Sequence, residues 1–319
     1  MTQEILLFVG GVGVLYFGAE WLVRGSARLA ASLGVSPIVV GLTVVSMGTS
    51  APELVISVVA SLGGNPDLAI GNVMGSNLAN VGLVLGISAI LRPLKVSTRV
   101  VTREVSVMIF ITLALLPLIW NSHLGRLEGF ALVTMLVFYL TFVLWTSKTE
   151  GQGALNEYGE AAIPEGGGLS SRTIARDSAF ILLGVAGLVL GAFAIRQSAV
   201  ALAEALGISE LVIGLTLVSI GTSLPELATC AVAALRNQAD IAVGNILGSN
   251  VFNIAGVLGI TSIISPLDFS ADVLRLEFPA VMVITVLMVP IVRHRLVIRR
   301  REGVVLLSAY LALLAFVLS

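Results

Sequence analysis

Hydrophobic residues along this chain gather into ten long runs separated by short polar stretches, at about residues 4–29, 36–62, 67–90, 99–121, 126–147, 175–203, 209–235, 240–263, 273–293 and 302–318. Most reach the roughly 20 residues that a helix needs to cross a bilayer. The stretches 68–91, 105–125, 129–147 and 241–267 hold no Asp, Glu, Lys or Arg. A membrane β-barrel would instead alternate apolar and polar positions over stretches of about 10 residues. The pattern therefore predicts an all-α polytopic membrane protein with ten transmembrane helices. The first run lacks a charged leader and a small-residue cleavage site, so Ile5 onward reads as a first span and not as a removed signal.

Composition agrees with this. The chain is 57% hydrophobic and 12% charged, with mean hydropathy +1.03, whereas soluble domains are about 25% charged. A net charge of −1 says nothing about partners, and no nucleic-acid partner is expected. The lone cysteine, Cys230, excludes an intrachain disulfide and reads as a small core residue. Without a Cys/His cluster there is no zinc or iron–sulfur site to expect, and no cofactor. The lipid bilayer is the expected partner, with no obligate protein partner implied.

The positions of the charges orient the chain. The first, third, fifth, seventh and ninth connections, with adjoining helix ends, carry 15 of the 18 Lys and Arg residues. The even connections carry only Arg126 and Arg275, and Arg196 falls within the sixth run. By the positive-inside rule the odd connections face the cytoplasm and both termini face outward. The expected location is the cell (inner) membrane, with a large central loop on the cytoplasmic side.

The chain also repeats itself. Residues 41–54 read GLTVVSMGTSAPEL and 214–227 read GLTLVSIGTSLPEL, identical at 11 of 14 positions with an offset of 173. The same offset carries GNVMGSNLAN at 71–80 onto GNILGSNVFN at 244–253. The chain is thus two copies of one unit, residues 1–147 and 175–319, joined by a Gly- and Glu-rich linker at 148–174. No Asp/Asn-rich calcium loop occurs in that linker. Five spans per copy is an odd number, so the second copy enters the membrane from the opposite side, giving inverted repeats. The charges agree: Arg92, Lys95 and Arg99 correspond to Ser265, Asp268 and Asp272.

Each copy buries one acid in an apolar run, Glu53 and Glu226. A carboxylate at membrane depth costs several kcal/mol (~2.5–3.5 on insertion scales) and marks a transport route. Thr49 and Ser50 precede Glu53 by four and three residues, on the same helix face; Thr222, Ser223 and Glu226 repeat the spacing. Pro52 and Pro225 cannot donate to the carbonyls of Gly48 and Gly221, so helices 2 and 7 are expected to break there and free carbonyl oxygens. In the second repeated stretch of each copy, Asn72, Ser76 and Asn80 are spaced i, i+4 and i+8, with Asn77 beside them. Asn245, Ser249, Asn250 and Asn253 match these. Gly71, Gly75, Gly244 and Gly248 read as packing glycines, and Asn80 and Asn253 as lining a site. Carboxylate, hydroxyl, amide and carbonyl oxygens, with neither sulfur nor imidazole, suit Ca²⁺ and Na⁺ better than Mg²⁺, zinc or copper. One Ca²⁺, or two or more Na⁺, would neutralise the two carboxylates, which is a basis for exchange.

GTSAPEL with GNVMGSNLAN, and GTSLPEL with GNILGSNVFN, resemble the alpha repeats of the cation/calcium exchanger superfamily, most closely its prokaryotic sodium/calcium exchanger branch. That resemblance implies antiport of Na⁺ against Ca²⁺ by alternating access, with helices 2, 3, 7 and 8 as the ion core and helices 1 and 6 sliding across it. It implies as ligands Glu53 and Glu226, the hydroxyls of Thr49, Ser50, Thr222 and Ser223, and the carbonyls of Ser46 and Ser219. Ser76 and Ser249 would serve flanking Na⁺ sites, and Asn80 and Asn253 would offer their amides. Potassium-dependent exchangers, and some prokaryotic relatives, carry Asp where this chain has Asn253; losing that carboxylate argues against K⁺ co-transport and leaves the stoichiometry open.

Three other readings use the same residues. A Ca²⁺/H⁺ antiporter on this scaffold would exchange protons at Glu53 or Glu226. A cation channel could be built on the broken helices. An intramembrane hydrolase using Ser50 or Ser223 lacks a base, because His123 and His294 lie near span ends; an enzyme is not expected.

Overall fold

The computed structural model describes residues 2–157, 171–205, 219–294 and 296–317. Residues 158–170 of the expected linker and 206–218, which begin the seventh span and the second copy's repeated stretch, lie outside the described residues. Among the described residues the chain is helical almost throughout. Seven helices are long and apolar enough to cross a membrane, and Pro37–Thr49 with Ala51–Leu62 forms a pair bent by 41° that, counted as one span, brings the number to eight. The seventh expected run lies partly outside the described residues, and the tenth is met by a helix that is not among these seven. Leu224–Leu235 is a shorter apolar helix, and Arg300–Val317 opens on Arg300, Arg301 and Glu302, which shorten its apolar length.

Helix ends outrun the hydrophobic pattern in one place. Arg126–Glu157 continues past residue 147, and the next helix begins at Ser171. Lys148, Glu150, Gln152 and Ala154 are polar or small but favour helix, so the loss of apolar character does not stop the turn.

By packing, the chain divides into two compact units, Met1–Thr49 with Leu140–Asn245, and Ser50–Tyr139 with Ile246–Ser319. Each draws chain from both sequence copies. In the first unit, helix Thr2–Leu33 packs along Ser171–Ala205. Glycines set that contact: a Cβ on Gly18 would lie 2.7 Å from the Leu188 nitrogen, and one on Gly191 2.6 Å from that of Leu15. Gly18 and Gly191 are matching positions of the two copies, as are Gly11 and Gly184, so the seam is reciprocal. Ion pairs flank it: Arg24 and Arg236 share Glu20, and Arg28 meets Asp177 at 3.2 Å.

The second unit is built around Pro66–Leu91 and the chain from Ile246 to Ile264. Gly86 lies against Gly303 and Gly129 against Gly259, again a paired set of close approaches. Two short antiparallel ribbons tie its ends, Leu94–Lys95 with Val297–Ile298 and His123–Leu124 with Leu267–Asp268. Among the described residues, π-helical turns interrupt the helices at Gly41–Val45 in the first unit and at Asn80–Val84 and Phe252–Leu258 in the second. Two more, Val100–Glu104 and Val273–Glu277, end on matching acids. Large apolar side chains face outward, such as Phe138 at 71% exposed and Trp145 at 72%. On a chain this apolar, that surface is a lipid surface.

Candidate functional site

The two repeated stretches break their helices at the same place. Ser50 has φ −86° and ψ 6°, and Ser223 has φ −87° and ψ 4°. A helical residue has ψ near about −42°, so the hydrogen-bond ladder cannot continue through either serine. Proline chemistry alone would put the breaks at Gly48 and Gly221; they fall two residues later. Ser46–Thr49 and Ser219–Thr222 end before the break, and Ala51–Leu62 and Leu224–Leu235 start anew after it. Pro52 and Pro225 sit in the first turn of the new helices, where a missing N–H costs nothing.

Glu53 and Glu226 consequently occupy first turns, where the positive end of the helix dipole favours a carboxylate. Ser-x-x-Glu is also the sequence of a capping box. Neither serine makes the side-chain cap bond, however, and both glutamates are 0% exposed. The acids are held in the interior for something other than finishing a helix.

Within the second unit, Ser76 Oγ donates to Glu53 Oε1 at 3.5 Å. Asn72 Nδ2 reaches the Glu53 backbone carbonyl at 3.2 Å and Ser57 Oγ at 3.0 Å, which ties the acid-bearing helix to Pro66–Ala79. The same helix also packs on the π turn Phe252–Leu258, which carries Asn253. Asn80 and Asn253 are both buried. Asn80 Nδ2 donates to Asn250 Oδ1 at 3.1 Å, and Asn253 Nδ2 donates to Asn77 Oδ1 at 3.1 Å. The offset of 173 converts each bond into the other. Oδ1 of Asn80 and Oδ1 of Asn253 have no hydrogen-bond partner. Ser50 and Ser249 are buried in the same unit.

Within the first unit, Thr49 Oγ1 donates to Asn245 Oδ1 at 3.0 Å and lies 3.4 Å from the carbonyl of Ser46. The Ser46 hydroxyl is turned back on the carbonyls of Leu42 and Thr43, at 2.9 and 3.1 Å, so only its own carbonyl faces Thr49. Ser46–Thr49 packs on Leu224–Leu235, the helix of Glu226. Thr222 and Ser223 are buried on the adjoining turn, and Ser223 Oγ has no hydrogen-bond partner. Ser219 begins that turn. Each unit therefore packs the helix of one duplicated acid against an element of the other copy.

Face-sharing arguments singled out Asn80 and Asn253 but missed the uses of Asn72, Asn77, Asn245 and Asn250. For Asn72 and Asn245 the sequence carries a signal: each lies opposite the residue four past the acid, Ser57 in one copy and Cys230 in the other. Among the described residues no three His, Cys, Asp or Glu side chains converge as a metal site would need. A cation here would be held by a carboxylate together with neutral oxygens, the chemistry of Na⁺ and Ca²⁺ and not of zinc.

A multi-pass helical chain of this kind, with acids buried at duplicated helix breaks, defines a membrane transport protein. Comparison with known proteins makes the class specific. The chain matches the family described as Sodium/calcium exchanger protein twice, over residues 4–145 and 178–319, and it belongs to that family. Sodium/calcium exchanger MaX1 of Methanosarcina acetivorans is 33% identical over 349 residues, 98% of each chain. The putative antiporter CaxA of Alkalimonas amylolytica is 37% identical over 268 residues, 83% of this chain and 82% of that protein. A solved structure of the sodium-calcium exchanger NCX_Mj, soaked with 10 mM Na⁺ and zero Ca²⁺, superposes with TM-score 0.82 at 31% identity over 98% of both chains. The protein is thus a membrane-embedded cation exchanger of the antiporter type.

Proposed function

We propose that the protein is a secondary active antiporter that exchanges Na⁺ for Ca²⁺ by alternating access, on ten spans arranged as two inverted five-helix repeats. The observation that carries this is the pair of fully buried glutamates, Glu53 and Glu226, each in the first turn after a helix break. Carboxylates buried in an apolar interior are costly unless something compensates for their charge. One Ca²⁺ or at least two Na⁺ do so, and the two loads then compete for the same charge. Thr49, Ser50, Thr222, Ser223, Ser76 and Ser249 supply hydroxyls in this reading, Ser46 and Ser219 carbonyls, and Asn80 and Asn253 amide oxygens. Support for the ions comes from kinship, since MaX1 and NCX_Mj are both named sodium/calcium exchangers.

Co-sidedness of the connections supports the alternation of the spans, while the placing of both termini outside and the linker in the cytoplasm rests on the charges. Leu94–Lys95 of the third connection pairs with Val297–Ile298 of the ninth, and His123–Leu124 of the fourth with Leu267–Asp268 of the eighth. Odd pairs with odd, and even with even.

The test is a flux assay in sealed vesicles with Na⁺, H⁺ and K⁺ gradients imposed separately. An outward Na⁺ gradient should drive ⁴⁵Ca²⁺ uptake and generate a membrane potential. Uptake driven by a pH gradient and indifferent to Na⁺ would replace this reading with Ca²⁺/H⁺ exchange, and single-channel conductance would replace both.

A further inference from the structure

The orientation of the Asn253 amide is fixed by a chain of bonds that begins on a backbone atom. Asn77 Nδ2 donates to the main-chain carbonyl of Asn250 at 3.3 Å. A carbonyl only accepts, so the Asn77 amide cannot be turned over without setting two oxygens against each other. Its Oδ1 is thereby aimed the other way, where it accepts from Asn253 Nδ2 at 3.1 Å. That bond in turn fixes Asn253 with its own Oδ1 directed away from Asn77, buried and without a hydrogen-bond partner. The matching chain in the other copy is anchored less firmly. Asn250 Oδ1 accepts from Asn80, but Asn250 Nδ2 finds only the sulfur of Met108, at 3.5 Å, and a thioether is a weak acceptor.

We propose that Asn77 is the positioning residue that holds the Asn253 carbonyl oxygen toward the transported cation, and that the same bond selects a neutral amide over a carboxylate at position 253. A carboxylate there would face Asn77 Oδ1 as acceptor against acceptor. Turning Asn77 over to donate would only move the clash to the Asn250 carbonyl. This inference rests on the reading of Asn253 as a cation ligand. It makes the specificity of the site depend on a residue that touches no ion.

The test is a double-mutant cycle on the full chain in proteoliposomes, reading apparent affinity and maximal rate separately, with calorimetric Ca²⁺ and Na⁺ binding to the purified protein as a second measurement. Asn77→Leu should weaken the apparent affinity for the carried cations by about tenfold, the low end of the effect of losing a partner that orients a metal ligand, and change the maximal rate far less. In an Asn253→Ala background the same Asn77→Leu change should alter affinity less than about twofold, because its target is gone. Effects that multiply, or a lower maximal rate with affinities unchanged, would overturn the proposal. Asn77→Ser replaces Asn77→Leu if the latter does not accumulate, and failure of both would overturn it by assigning Asn77 to packing. If the wild-type protein moves Ca²⁺ against protons and ignores Na⁺, the exchange reading falls while the cycle stays readable in Ca²⁺ affinity.

Discussion

Asn245 donates its amide to the sulfur of Cys230 across 3.3 Å, the bond that Asn72 makes to the hydroxyl of Ser57 at 3.0 Å in the other copy. The likeness extends one step further. Cys230 Sγ lies 3.4 Å from the carbonyl of Ala242, as Ser57 Oγ lies 3.1 Å from that of Ala69. The cysteine therefore serves as a poorer serine, linking the acid-bearing helix to its neighbour. Cys230→Ser should keep transport and raise stability slightly, since oxygen is the better partner. Cys230→Val should leave the buried Asn245 amide short of a partner and cost ~1–3 kcal/mol. Thermal unfolding of the three purified forms in detergent checks the order. Cys230 is also 0% exposed, so maleimide should not label the folded protein.

Charge removal at the duplicated acids is the direct test of what they carry. Glu53→Gln and Glu226→Gln preserve shape and remove one charge each, so each should abolish Ca²⁺ uptake in vesicles while the protein still folds. An uncharged side chain is cheaper to bury than a carboxylate, so melting temperatures in ion-free buffer should hold or rise. Added Ca²⁺ should raise the melting temperature of the wild type by mass action and leave both variants unmoved. Ca²⁺ uptake retained by both variants would remove the acids from the transport path.

Much of this arrangement is legible in the order of the residues, and what is not has a physical reason. The break is legible because proline lacks an N–H and recurs at an offset of 173 beside an acid. Its location at Ser50 and Ser223, two residues after the glycines, is not, because it depends on which turn the new helix starts from. The π turns at Asn80–Val84 and Phe252–Leu258 leave no mark in a 3.6-residue pattern, since one extra residue per turn is absorbed locally. Nor is the crossed pairing of Asn77 with Asn253 and Asn80 with Asn250 readable. Spacing on one helix says which residues share a face and nothing about which partner that face meets. The helix through Glu157 escapes for the opposite reason, since polar residues mark the membrane boundary but do not end a helix.

The glycine seam gives a prediction that needs no ion. A Cβ on Gly18 would lie 2.7 to 2.9 Å from backbone atoms of Ser171–Ala205, whereas one on Gly13 would meet nothing within 4 Å. Gly18→Ala should therefore force two helices apart and cost ~1–3 kcal/mol, with a matching loss of transport. Gly13→Ala on the same helix should be neutral or slightly stabilising, because alanine is the better helix former. Equal effects of the two substitutions would show that the close approach does not limit stability.

Asn253→Asp tests the ion coupling that the sequence suggests. The substitution adds a carboxylate to the site and removes the Nδ2 donor that Asn77 now accepts. The variant should be less stable in ion-free buffer and should change its dependence on Na⁺, or gain a dependence on K⁺, when fluxes are measured with each ion varied alone. An unchanged ion profile would separate Asn253 from cation coupling.

Orientation in the membrane is open to direct labelling in a Cys230→Ser background, which removes the chain's one cysteine. Asn121 and Lys95 are both exposed and lie beside the two ribbons, His123–Leu124 with Leu267–Asp268 and Leu94–Lys95 with Val297–Ile298. The distribution of Lys and Arg predicts that the first ribbon lies outside and the second in the cytoplasm. A thiol reagent that cannot cross the membrane should therefore label Asn121→Cys on intact cells and leave Lys95→Cys untouched until the cells are opened. The reverse pattern would invert the whole chain, and labelling of both from outside would break the link between ribbon pairing and membrane side.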